Sequence, residues 1–159
     1  PQFELKWPND VLAGGAKIAG ILLECETAGS DAVAVAVGIG VNVIAAPSDV
    51  PYPATSLAAI GVAASAEAVF AALGETWADA LRVWDHGRGF AEIRQEWLAH
   101  AAGLGHEILV VTDGIAHAGM FETIDADGRL VLTTAGGAST TISAGDVFFG
   151  RAAGAGAGR

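Results

Sequence analysis

The run Lys6-Trp7-Pro8-Asn9-Asp10 constrains this chain more than any other. Phe3 and Leu5 alternate ahead of it as the end of a short strand over residues 2–6. Pro8 stops that strand, because proline fixes φ and has no N–H to give to a ladder. Lys17-Ile18-Ala19-Gly20-Ile21-Leu22-Leu23-Glu24 then opens a second strand, with Gly14-Gly15 as the turn signal in the link between. That strand is apolar on both alternating faces (Ile18 and Leu22 against Ile21 and Leu23), which predicts burial on both sides. A lysine held between a strand end and a turn is a compact, fixed point charge, suited to meet negative charge as it develops on a phosphate. The plainer reading is a surface lysine on an edge strand.

The next segment, Ala32 to Ile39, alternates branched Val33, Val35, Val37 and Ile39 with small Ala34, Ala36, Gly38 and Gly40. The branched side is expected to pack the core, and the small side to leave room for a helix or a flat ligand. Pro47, Pro51 and Pro53 make residues 46–56 an irregular loop, after which Thr55 or Ser56 caps a short helix ending at Gly61. Ser65 caps a longer helix with Phe70, Leu73, Trp77, Leu81 and Trp84 on one stripe. His86-Gly87-Arg88-Gly89 breaks it, and a second helix runs from Phe90 to Ala102 with Gly103 as its stop. From Glu107 the period becomes two: Ile108–Val111, Ala116–Ile124, Arg129–Thr134, Thr140–Ser143 and Asp146–Phe149 read as five short strands, with Asp113-Gly114 and Asp127-Gly128 as turns. Such a series fits a small SH3-like β-barrel. The fold class expected is α+β, a mixed β-sheet with packed helices followed by that barrel. The divisions are 1–103, 104–150 and a disordered Gly/Ala tail at 151–159.

Composition narrows the function classes. A net charge of −10 without a Lys/Arg cluster argues against nucleic acid as a partner of this segment. Despite a mean hydropathy of +0.47, no apolar run reaches the roughly 18 residues a membrane span needs, so a soluble cytoplasmic protein is expected. One cysteine, Cys25, excludes an internal disulfide framework, and it reads as a structural thiol beside a buried strand. The four histidines lack metal-ligand spacing. Asp125-x-Asp127-Gly128 begins like a calcium loop, but Gly136 stands where a bidentate Glu is required, so the segment reads as a hairpin.

The KWPND run, the K-x-x-G-I-L-x-E pattern of Lys17, Gly20, Ile21, Leu22 and Glu24, and the G-x-G-x-N run of Gly38, Gly40 and Asn42 resemble, in order, the central segment of biotin–protein ligases. Specific motifs cover the first 42 residues; the rest is similar in architecture and at positions such as Trp97 and the Asp125-to-Leu132 hairpin. The resemblance implies ATP and biotin as substrates with Mg²⁺, and a biotin carboxyl carrier protein domain as acceptor. It implies that Lys6 is catalytic and touches both the biotin carboxyl end and the phosphate. Asn9 is then either a ligand contact or a turn residue. Asp10 either helps place Mg²⁺ or completes the Pro-Asn-Asp turn. Lys17 either adds a second charge near the phosphates or begins a solvated strand, and Gly20 is a close-approach position. Gly38, Gly40 and Asn42 would close over the adenylate.

The family's Arg/Gly-rich loop upstream of the lysine motif has no counterpart in the five residues before Lys6. The chain therefore reads as part of a longer polypeptide, holding the lysine with part of the site, and is expected to be inactive alone. Two rivals stay open: a lipoate–protein ligase, sharing fold and adenylation logic, and a non-catalytic homologue whose barrel is a protein-binding module. Strand edges also allow a homodimer.

Overall fold

The structure, a computed structural model, describes residues 2–28 and 32–149; the tail at 151–159 lies outside the described residues. Packing divides the chain into two units. The first holds the residues up to Leu5 and from Asn9 to Asp79, and the second holds Lys6–Pro8 and the residues from Ala80 onward.

A four-stranded sheet in the order β1 (Phe3–Lys6), β2 (Asp10–Ala13), β3 (Ala16–Ala28) and β4 (Ala32–Val41) underlies the first unit. Strand β2 occupies the segment expected as a link between the first two strands. Gly14 and Gly15 both have positive φ, +58° and +79°, as the two central residues of a tight hairpin turn require, and they join β2 to β3. The register shifts between Val11 and Leu12, so that Asp10 faces Gly20 while Leu12 faces Lys17. Ile18, Leu12 and Ala13, on either side of this irregular pairing, are all buried. The β2–β3 and β3–β4 ladders are antiparallel, and Lys17 and Ala54 form an isolated parallel bridge.

The expectation of a doubly buried second strand fails beyond Ile21. Leu22 is 62% exposed and Leu23 60%, and Val33, Val35 and Val37 on β4 are exposed as well, so the branched side does not pack the core. Cys25, expected beside a buried strand, is exposed too. Alternation identifies a strand and its faces; burial needs an element to lie on those faces, and among the described residues none does. The same holds for α1 (Ala66–Trp84). Its Ser65 cap is present, with Ala68 N–H donating to Ser65 Oγ at 3.2 Å, yet none of its residues is buried and Phe70 is 77% exposed. The short helix expected before Gly61 is a single capped turn. Buried Ser56 accepts from Ala59 N–H and donates to the Ile44 carbonyl, both at 3.2 Å.

In the second unit, Asp85–Gly87 forms the break after α1, with Asp85 and His86 at positive φ and Arg88 paired to the Asp85 carboxylate. Helix α2 (Phe90–Ala99) ends three residues earlier than its sequence stripe predicts, capped at His100. The five predicted strands are all present, as β5 (Glu107–Thr112), β6 (Ile115–Ile124), β7 (Leu130–Thr133), β8 (Ser139–Ile142) and β9 (Asp146–Phe149). They pair in the order β8-β7-β6-β5-β9. No pairing closes β8 onto β9 among the described residues, so the SH3-like unit is an open sheet, where a closed barrel was expected. Strand β8 pairs with β7 and β9 with β5, and each keeps its other edge unpaired among the described residues. Its core joins Ile108, Val110, Phe121, Leu130, Leu132 and Val147 to Trp7, with Trp97 of α2 edge-on to Phe121 at 6.3 Å. Arg94 fastens α2 to the sheet by donating to the Ile124 carbonyl (2.5 Å) and Thr123 Oγ1 (2.9 Å).

The turn after β6 is organised by Asp125, whose carboxylate accepts from the Asp127 and Arg129 N–H groups (2.9 Å each) and from Arg129 Nε (2.7 Å). Partial desolvation pushes its pKa up, but these hydrogen bonds and the Arg129 charge outweigh it, and the carboxyl is held below its ordinary value of 3.8. A lowered folded-state pKa contributes stability that is present above the unfolded value and is lost as pH falls through the folded one. Asp125→Asn should therefore lower the thermal midpoint of this unit at neutral pH, and the difference from wild type should shrink below about pH 4. Tryptophan fluorescence melts across pH check this; a pH-independent difference would contradict it. Trp7→Phe should cost about 1 kcal/mol in chemical denaturation through the lost indole hydrogen bond described below, and Trp7→Ala about 3–5 kcal/mol through the cavity it leaves.

Candidate active site

The first unit carries a cleft of about 330 Å³ between the β3–β4 ladder and the loop holding Pro47 and Tyr52. Its floor is the small-residue stretch of the ladder, where Gly20 pairs with Gly40. Lys17 lies at its edge, fixed along backbone and side chain alike. Its N–H donates to the Pro53 carbonyl at 2.8 Å and its carbonyl accepts from Thr55 N–H at 2.9 Å. Its Nζ is 2.6 Å from Asp10 Oδ1 and 5.3 Å from the centre of the Tyr52 ring. The Lys17 side chain is 28% exposed and that of Asp10 17% exposed, so this is a partly desolvated pair rather than a solvated surface one.

The register explains the pairing. Asp10 faces Gly20 across β2–β3, and a Cβ at Gly20 would stand 3.1 Å from both Cε and Nζ of Lys17 and 3.4 Å from Asp10 Oδ1. A side chain at this position would crowd the ammonium where it crosses the strand to the carboxylate, and the lysine end would have to shift by a few tenths of an ångström. Asn42 ties the cleft together: its N–H donates to the Ile18 carbonyl (2.8 Å) and its side-chain Nδ2 to the Thr55 carbonyl (2.9 Å).

Lys6 belongs to the second unit with Trp7 and Pro8. Trp7 is 5% exposed within that unit's core, and its indole Nε1 donates to the Gly128 carbonyl at 3.0 Å. The Trp7–Pro8 peptide is cis. A smaller cleft of about 220 Å³ lies beside Trp7, among Phe90, Arg94 and Trp97. The ammonium of Lys6 stands 6.0 Å from the centre of the Phe149 ring.

Of the residues singled out from sequence, Lys17, Gly20, Gly40 and Asn42 line one cleft, and Asp10 joins them through Lys17. Asn9 folds its turn onto β3, with Nδ2 2.6 Å from the Ile21 carbonyl and its own carbonyl accepting from Ile21 N–H at 2.9 Å. Gly38 faces Leu22 farther along the ladder and does not line the cleft. Sequence reasoning missed Tyr52, a single aromatic in a proline-rich loop with no periodicity to mark it. It also missed Phe149, the last residue of a strand read only as barrel. No group of three or more His, Cys, Asp or Glu side chains able to hold a metal occurs among the described residues.

Comparison with known proteins bears on both ends of the chain. Residues 2–42 match the family described as Biotin/lipoate A/B protein ligase family, and residues 103–150 match Biotin protein ligase C terminal domain. A biotin--[acetyl-CoA-carboxylase] ligase of Paracoccus denitrificans is 41% identical over 152 residues, covering 92% of this chain and 62% of the relative. The corresponding ligase of Mycobacterium tuberculosis is 38% identical over 146 residues, covering 90% and 52%. The chain thus spans between about half and three fifths of the length of these curated relatives. Among solved structures, the apo biotin protein ligase of Aquifex aeolicus superposes with a TM-score of 0.76 at 25% identity, over 92% of this chain and 65% of that one. The same enzyme in complex with biotin and ATP gives 0.71 at 25% identity, over 92% and 61%. With a ligase-family match over the lysine motif, a biotin-ligase match over the C-terminal sheet and ligase relatives aligned along nearly its whole length, the chain is similar to part of a biotin protein ligase.

Proposed function

We propose that the protein activates biotin with ATP and transfers it to a lysine of a biotin carboxyl carrier protein domain. The observation that carries this reading is the unbroken Lys6-Trp7-Pro8-Asn9-Asp10 run inside the matched segment 2–42, in a chain 41% identical to a named biotin ligase. The biotin-specific match at 103–150 favours biotin over lipoate, since the N-terminal match alone covers both classes. In this reading residues 1–103 form part of the catalytic domain and 104–150 its SH3-like module.

The chemistry follows from charge. A biotin carboxylate oxygen attacks the α-phosphorus of ATP, the bond to the bridging oxygen breaks, pyrophosphate leaves, and biotinyl-5′-adenylate remains. Negative charge grows on the non-bridging oxygens in that step, and an ammonium held near them stabilises the transition state; that is the role we assign to Lys6. In the second step a carrier lysine amine attacks the anhydride carbonyl and AMP departs with its oxygen. The anhydride is already activated, so this step needs orientation and exclusion of water rather than a protein nucleophile.

We assign nucleotide binding to the cleft of the first unit, with Lys17 as its cation and Tyr52, Gly20, Gly40 and Asn42 as walls. Asn9 and Gly38 act on its shape through the turn and the ladder. Asp10 holds Lys17 through Oδ1, 2.6 Å from Nζ, and its alternative role is to help place Mg²⁺. Mg²⁺ enters with the phosphates of ATP, its usual partners. No helix among the described residues is long and apolar enough to cross a membrane. We place the enzyme in the cytoplasm, where ATP and carrier domains are found, with the edge strand β4 available for a homodimer.

ATP–pyrophosphate exchange by the full-length protein tests the substrate. Exchange driven by biotin and not by lipoate is expected; lipoate-driven exchange would move the assignment, and silence with both would favour a binding module. Asp10→Asn and Gly20→Ala each release or displace the Lys17 ammonium. Each should raise KM for ATP by about three- to tenfold with kcat little changed, as loss of a partly screened ionic contact in ground-state binding predicts. Unchanged KM in both variants would remove Lys17 from the nucleotide site.

A further inference from the structure

The two lysines of the motif region are held in different ways. The ammonium of Lys17 is balanced by the Asp10 carboxylate at 2.6 Å. No ion pair joins Lys6 to a carboxylate among the described residues; its neighbour is the face of Phe149, 6.0 Å from Nζ to the ring centre. A carboxylate would cancel the charge a growing phosphate anion needs, whereas the negative face of an aromatic ring attracts an ammonium and leaves its net charge whole.

The ring is itself seated. Phe149 ends β9 opposite Ile108 in the β5–β9 ladder. Gly103, at φ +78°, lies against it so closely that a Cβ there would fall 2.6 Å from Phe149 Cε1 and 3.0 Å from Cδ1. Any side chain at position 103 would push the ring from its place. Phe149 nonetheless stays 43% exposed, an unusual state for an aromatic whose edge is so tightly accommodated. The same unit holds the neighbouring Trp7 in its core, so the backbone beneath Lys6 is anchored while its ammonium lies over the ring.

We propose that Phe149, seated on Gly103, is a positioning residue that aims the Lys6 ammonium for the adenylation step while leaving its charge unneutralised. The inference rests on the biotin ligase reading of Lys6. A lysine side chain carries about 2 kcal/mol of rotamer entropy, and confining it beforehand favours the reacting arrangement without changing what the substrates themselves contact.

The test compares Phe149→Leu with Phe149→Tyr in the full-length protein, by steady-state ATP–pyrophosphate exchange with biotin, thermal melts and NMR of the Lys6 side chain. Tyrosine keeps a ring face, and leucine keeps apolar bulk without one. The expected result is kcat lowered about two- to fivefold in Phe149→Leu, the span an exposed cation–π contact implies, with KM for biotin and ATP unchanged. Phe149→Tyr should stay near wild type. The Lys6 ε-methylene protons should carry a ring-current upfield shift in wild type and Phe149→Tyr that is lost in Phe149→Leu. Equal kcat in the two variants, or a loss that follows the melting temperature instead of the ring, would overturn the proposal. A wild-type protein silent with biotin would instead defeat the ligase reading beneath it, and the two failures are told apart by the wild-type rate.

Discussion

Burial of Trp7 is the constraint on which the lysine motif depends. The indole belongs to the same buried cluster as Ile108, Val110, Phe121 and Leu130 and satisfies its one polar atom on the Gly128 carbonyl at 3.0 Å. A buried indole N–H left without an acceptor would cost about 1–3 kcal/mol, so the turn that presents Gly128 is as necessary as the apolar wall. That turn is in turn closed by Asp125 and Arg129. Hence a carboxylate far along the chain supports the residue next to Lys6. The three residues Lys6–Pro8 pack with the C-terminal sheet although the chain on either side packs with the N-terminal one. This gives the KWPND wording a physical meaning beyond its lysine: tryptophan anchors, proline turns, and lysine is left at a fixed point on the backbone.

The first unit solves a different problem, holding a cation at the edge of a cleft without burying it. Asp10, the Tyr52 ring and two backbone hydrogen bonds converge on Lys17, and the absence of a Cβ at Gly20 leaves its ammonium uncrowded. One lysine is thus paired with a carboxylate and is the one we propose for binding, while the other, which has no carboxylate partner among the described residues, is the one we propose for a step in which charge grows. That division of labour accords with the principle that interactions made equally in ground and transition states set KM, and those realised only in the transition state set kcat.

Much of this was legible in the sequence because local chemistry fixed it. Ser65 capped its helix, Gly14-Gly15 made its turn, and the period-two stretches after Glu107 became five strands at nearly the expected bounds. The motif residues Lys17, Gly20, Gly40 and Asn42 met in one cleft because adjacent strands carry them in register. What could not be read depended on distant neighbours. The exposed faces of Leu22, Leu23, Val33 and Phe70 have the pattern of core residues, and only the structure shows that nothing among the described residues covers them. Tyr52 and Phe149 act through space on lysines 35 and 143 positions away, and no window of sequence links such pairs. The SH3-like sheet was expected closed and is open, because strand lengths reveal pairing potential but not the edges that find each other.

The central claim is that Lys6 stabilises the phosphate charge that builds as biotin is adenylated. Its most direct test is a single-turnover, rapid-quench measurement of biotinyl-5′-adenylate formation by the full-length protein and its Lys6→Ala variant, at saturating biotin and ATP. The account predicts a rate of adenylate formation lower by about a hundredfold or more in the variant, the scale set by removing one preorganised charge from a developing oxyanion. A variant that forms the adenylate at a rate near that of the wild type would contradict it.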